Sequence, residues 1–191
     1  QCNEDIALMR AIPGMVVINP ADDVEARAAV KAAYEHEGPC YLRFGRLAVP
    51  VINDEASYKF EIGKGVELKS GKDLTIIATG LPVSESLKAA EMLAADGIDA
   101  QVINIHTIKP LDEDIVIAAA KATGKIFTVE EHSIIGGLGS AVAELLSEKC
   151  PVKVTRIGVK DTFGESGPAK ELLKKYELDA EGIYKQIKAG L

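Results

Sequence analysis

One unit recurs three times between Gly71 and Leu146, and it constrains the fold more than any other feature of the chain. Each copy is a short apolar run, a polar or glycine-bearing loop, and a segment of helical period. Residues 74–78 run into Thr79-Gly80-Leu81-Pro82, and residues 100–105 run into His106-Thr107-Ile108-Lys109-Pro110. Residues 125–129 run into Glu130-Glu131-His132 and then Gly136-Gly137-Leu138-Gly139. Strands buried on both faces read as continuous β-branched runs, and strand–helix alternation builds a parallel sheet between helical layers. Ligand crevices in such α/β sheets lie beyond the carboxyl ends of the strands, where all of these loops fall.

The chain has 191 residues, enough for one large domain or a domain and a half. Its 47% apolar content supports a substantial core. A net charge of -7 argues against a nucleic-acid partner, because no basic face outweighs the acidic excess. No apolar run approaches the roughly 20 residues that span a bilayer, so no membrane partner is expected. Cys2, Cys40 and Cys150 are isolated and odd in number, which reads as reduced thiols of a cytoplasmic protein without a zinc site. The start at Gln1 reads as a cut within a longer polypeptide.

Ahead of the repeats, Asn3-Glu4-Asp5 opens a short helix over 6–12 that Pro13-Gly14 stops, followed by a strand at 15–18. Asn19-Pro20-Ala21-Asp22-Asp23 caps a helix over 24–36, with Val24, Ala28 and Tyr34 placed for burial, and residues 40–44 form a strand. Two strands do not make a stable sheet, so further strands are expected upstream. Residues 45–71 read as a linker entering an edge strand. Strands at 73–78, 100–105, 125–130 and 152–157 then alternate with helices at 83–96, 112–122 and 137–148, and helices from 169 and 179 close the chain. Gly97 and Gly124 sit at helix ends and Asp112 at an N-cap.

Several residues can carry chemistry. The Gly136-Gly137-Leu138-Gly139 loop can present backbone donors to an anion, although Val142 stands where a third dinucleotide-type glycine belongs, and a tight turn for close helix packing is the plainer reading. Glu130, Glu131 and His132 are contiguous on a strand end, so they alternate between faces and do not converge on one metal ion. With His106 on the next strand they outline a crevice that also takes in Thr79, Gly80, Lys109 and Gly137. Lys109 and Pro110 read first as helix punctuation. Arg43 and Arg46 flank Phe44-Gly45 at a strand exit, and either guanidinium matches a phosphate in a two-pronged contact. No Ser-His-Asp set, P-loop or HExxH is present.

The succession NEDIALMRAIPGM (3–15), NPADDVE (19–25), GPCYLRFGR (38–46), IATG (77–80), IKPLD (108–112) and VEEHSIIGGLGS (129–140) resembles the transketolase family. It looks most like the C-terminal subunit of split bacterial transketolases. The resemblance spans essentially the whole chain. It implies an α/β fold: the last part of a pyrimidine-binding domain over 1–50, a linker and edge strand over 51–70, and a three-layer αβα C-terminal domain over 71–191. That domain would hold a five-stranded mixed, mostly parallel sheet with its first strand antiparallel.

By the same resemblance the complete enzyme uses thiamine diphosphate and Mg²⁺, assembles with an N-terminal subunit or half as a homodimer or heterotetramer, and moves a two-carbon ketol unit between sugar phosphates. Arg46 matches the family arginine that binds the substrate phosphate. No G-D-G…N cofactor motif is present, so this chain alone is expected to bind no cofactor and to be inactive. Related alternatives are a 1-deoxyxylulose-5-phosphate synthase or 2-oxo-acid dehydrogenase β-subunit fragment, or a non-catalytic dimerisation or regulatory module. Arg46 disfavours the dehydrogenase, whose substrates carry no phosphate. The Arg43-Phe44-Gly45-Arg46 context differs from the Tyr-Pro-Arg-Gly usual in the synthase.

Overall fold

The structure, a computed structural model, describes residues 2–191. Its first part opens with helix α1 (Asp5–Ala11), strand β1 (Val16–Ile18), helix α2 (Asp23–Glu35) and strand β2 (Cys40–Leu42), with β2 parallel to β1. Asp22 caps α2 by accepting the Glu25 N–H at 2.9 Å. A long irregular stretch leads to β3 (Val66–Lys69). The repeats follow as β4 (Leu74–Ala78), α3 (Pro82–Ala95), β5 (Ala100–Asn104), β6 (Thr107–Lys109), α4 (Glu113–Thr123), β7 (Lys125–Ser133), α5 (Leu138–Lys149) and β8 (Lys153–Val159). Helices α6 (Ala169–Lys175) and α7 (Ala180–Gly190) end the chain.

The larger sheet has the order β3-β5-β4-β7-β8, parallel throughout except for β3, which runs antiparallel to β5 at the edge. This is the expected mixed α/β sheet. One face buries Leu74, Ile76, Val102 and Phe127 against α3 and α7; the other buries Ile77, Ile103 and Ile126 against α4 and α5. Asp112 does cap α4, and Gly124 ends it in the left-handed conformation at φ 65°.

The smaller sheet differs from expectation. Its third strand comes from downstream: β6, read from the sequence as loop and helix punctuation, pairs antiparallel with β1 to give the order β2-β1-β6. Three residues are too few to show a strand period. Only the neighbouring β1 edge makes this segment extended. Ile6, Val17, Ile108 and Ala141 fill one side of this sheet, and Val16, Ile18 and Ala29 the other. Phe60 and Ile62 pack onto that second side, so the stretch expected to be a linker also covers the sheet.

Tyr34, expected to be buried, is 90% exposed. Ten residues beyond Val24 it has rotated off the buried face of α2, which is instead completed by Glu25 and Ala29. Among the described residues no helix is long and apolar enough to cross a membrane.

Candidate functional site

The glycine loop before α5 does hold a carboxyl group, and it is the protein's own. Glu130, fully buried, accepts the N–H of Leu138 at 2.7 Å and of Gly139 at 2.8 Å, the first amides of α5. A Cβ on Gly137 would lie 1.9 Å from Glu130 Oε2, so the missing side chain is what admits the carboxylate. Burial pushes the Glu130 carboxyl up to about 7 against the pull of those two amides.

His132 lies on the same face, with Nδ1 3.7 Å from Glu130 Oε2. Its Nδ1 is 2.7 Å from the Ser133 carbonyl and must carry the proton there, which leaves Nε2 to accept the Ala7 N–H of α1 at 3.4 Å. Burial lowers its pKa, as suits a neutral acceptor. Glu131 points away and is half-buried.

Helix α1 therefore fills the place where an open crevice was expected. Ser133 donates its N–H to the Asn3 carbonyl at 2.7 Å, and Arg10 Nη1 reaches the Gly136 carbonyl at 2.6 Å. Lys109 donates to the carbonyls of Arg10 and Ile12 at 2.8 and 2.6 Å, so its ammonium closes the C-terminal end of α1.

The remaining crevice residues meet the segment after β1. Thr79 Oγ1 donates to the Asn19 carbonyl at 3.3 Å, and Gly80, at φ 64°, leaves no room for a Cβ against the Asn19 side chain. The His106 carbonyl accepts the Asn19 N–H at 2.8 Å. The His106 ring is buried, stacks on Phe60 with centroids 4.2 Å apart, and contacts Thr107 Oγ1 at 3.0 Å. Burial brings its pKa down to about 4. Thr79, Gly80 and His106 thus join the two sheets through Asn19, His132 and Lys109 hold α1, and Glu130 and Gly137 form the entrance to α5.

The two arginines after β2 separate clearly. Arg43 is ion-paired with buried Asp5, Nε to Oδ2 at 2.9 Å, where the Tyr41 hydroxyl also donates at 2.8 Å. Burial opposes the charge on Asp5, but the Arg43 guanidinium and the Tyr41 hydrogen bond together hold its pKa below the usual value. Arg46 is exposed, and the arginine ion pairs among the described residues belong to Arg10, Arg27 and Arg43. It sits between Gly45 and Leu47, which line a groove of about 270 Å³ together with Pro20, Ala21, Asp22 and Leu81.

Sequence reasoning missed a buried polar knot next to this groove. Glu25, without exposed surface, accepts from Ala21 N–H at 2.6 Å, from Asn104 Nδ2 at 2.9 and 3.1 Å, and from the Tyr58 hydroxyl. Burial raises its pKa. Little local distinguishes Glu25 from a solvated helix glutamate, since its side-chain partners are 33 and 79 residues away.

The family profile for the transketolase C-terminal domain matches residues 63–183, and that for the transketolase pyrimidine-binding domain matches residues 1–51. The chain belongs to the transketolase family. A 6-deoxy-6-sulfo-D-fructose transketolase subunit from Clostridium sp. (strain MSTE9) is 48% identical over 94% of this chain and 56% of its own length. A subunit of an apulose-4-phosphate transketolase from Phocaeicola vulgatus is 44% identical over 95% of this chain and 58% of its own length. A solved structure described as a split-gene transketolase, an inactive β4 tetramer, superposes with a TM-score of 0.95 at 48% identity, covering 99% of this chain and 62% of that one. The chain thus spans between half and two thirds of the transketolase chains it matches.

Proposed function

We propose that this chain is the C-terminal part of a split transketolase, which joins an N-terminal partner and contributes Arg46 as the grip on the terminal phosphate of the sugar substrates. The complete enzyme would transfer a two-carbon ketol unit between sugar phosphates. The observation that carries this reading is the difference between the two arginines: Arg43 is held by Asp5, while Arg46 is exposed in the loop that follows β2, between two residues that line a groove. A guanidinium binds a tetrahedral oxyanion through two parallel N–H bonds. The names of the relatives support it, one carrying a sulfo group and the other a phosphate on the sugar. The description of the structural relative as a β4 tetramer supports self-association when the partner is absent.

The family implies thiamine diphosphate and Mg²⁺, and the residues of this chain do not fit them. Among the described residues no three carboxylate, histidine or cysteine side chains gather for a metal, and the glycine-loop amides of α5 are occupied by Glu130. The cofactor's ligands would then come from parts of the enzyme beyond this chain, and Arg46 would act on the substrate alone.

In the complete enzyme, Arg46→Ala is expected to raise KM for phosphorylated ketoses by about 10- to 100-fold, the loss of one or two charge-assisted hydrogen bonds. An unaltered KM would refute the reading. This chain alone is expected to show no ketol transfer and no tight Mg²⁺-dependent cofactor binding by calorimetry, and a clear binding isotherm would contradict that part.

A further inference from the structure

The loop over 44–51 that carries Arg46 is hydrogen-bonded only at its ends among the described residues. None of its residues takes part in a backbone–backbone hydrogen bond among the described residues, and it stands off the start of α2, leaving the groove of about 270 Å³. At the departing end the Arg43 N–H donates to the Ile18 carbonyl at 2.8 Å. Its guanidinium is gripped by Asp5 at 2.9 Å and reaches the Cys2 carbonyl at 3.3 Å. At the returning end Asp22 Oδ2 accepts the N–H groups of both Ile52 and Asn53 at 2.8 Å, while its Oδ1 caps α2.

We propose that Asp5 and Asp22 are positioning residues for Arg46: two buried carboxylates that clamp the ends of an otherwise unbonded loop and so fix where its guanidinium meets the substrate anion. This rests on Arg46 being the phosphate ligand. The physical reason is one of span. Eight residues without internal hydrogen bonds sample many conformations once an end is released, and a two-pronged contact tolerates little displacement.

The Asp22 carboxylate suits the task because its two oxygens do separate work. Burial alone would raise its pKa, but the amides of Glu25, Asn53 and Ile52 outweigh this and keep it ionised. Asp22→Asn retains an oxygen for the Glu25 amide but turns an NH₂ group towards two N–H donors, which opens the clamp and spares the cap. Asp5→Asn weakens the other end by removing the charge that faces Arg43.

The test uses the complete enzyme with its N-terminal partner and compares fructose 6-phosphate with fructose, alongside Arg46→Ala. Each carboxylate variant is expected to raise KM for fructose 6-phosphate about tenfold, with kcat and the KM for fructose moving less than about twofold. If both KM values rise together, or neither moves while Arg46→Ala raises that for the phosphate ester, the positioning role is wrong and the phosphate reading stands. If Arg46→Ala itself changes nothing, the phosphate reading fails and takes this inference with it. Should Asp22→Asn fail to fold, Asp5→Asn at the opposite end decides the question alone by the same criteria.

Discussion

At Gly137 one added carbon would collide with both members of the buried pair, lying 1.9 Å from Glu130 Oε2 and 2.7 Å from His132 Nδ1. The loop cannot give way freely, because those groups are themselves bonded to α5 and α1. Gly137→Ala is therefore expected to destabilise the protein by about 1–3 kcal/mol or more, measured by chemical denaturation, and an unchanged midpoint would contradict the packing described. Glu130 also carries a pH signature. Its pKa rises on folding from 4.5 to about 7, so between those values the folded chain keeps a proton that the unfolded chain has released. Its contribution to stability is thus full below pH 4.5 and is lost as pH climbs through 7. Wild type should lose stability relative to Glu130→Gln across this window, by on the order of 3 kcal/mol at most. Parallel stability curves for the two proteins would rule this out.

Helix α1 has seven residues, too short to persist in water by its own hydrogen bonds. Its N-cap residue, Glu4, makes no side-chain cap, so the His132 ring accepts an amide of the first turn while Lys109 satisfies carbonyls at the far end. Both partners lie on strands of the downstream half, so α1 is a helix because it is docked. Lys109→Met should accelerate amide hydrogen exchange in residues 5–11 by about tenfold, the loss of roughly 1–2 kcal/mol of hydrogen bonding to a charged group, with β4 and β7 unaffected. Uniform acceleration across the chain would show that Lys109 supports the whole fold instead.

Across the whole molecule, the two sheets share one segment of chain. β6 leaves the end of β5 only two residues later and completes the sheet begun by β1, while Asn19 is bonded to both His106 and Thr79. Among the described residues the small sheet has no third strand without β6, and two strands are marginal in water. Denaturation is accordingly expected to be one cooperative step. Probes placed on α2 and on α7 should report coincident midpoints, and two separated transitions would show that the halves are independent.

The alternation of β-branched runs with helical segments was enough to fix the α/β layers, because strand burial on both faces and helix capping by Asp112 and Gly124 are written in neighbouring residues. The ordered motifs also carried the family. What they left undecided was every question of partnership over long separations. By residue type alone Arg43 and Arg46 are alike, and only the family resemblance points to Arg46; folding then brings Asp5 to Arg43 and leaves Arg46 in solvent. Glu130 offers the same charge to a metal, a substrate or a helix end, and only the approach of α5 selects the last. Sequence determines local geometry and burial through short-range periodicity, whereas the fate of a charge depends on which surface arrives beside it.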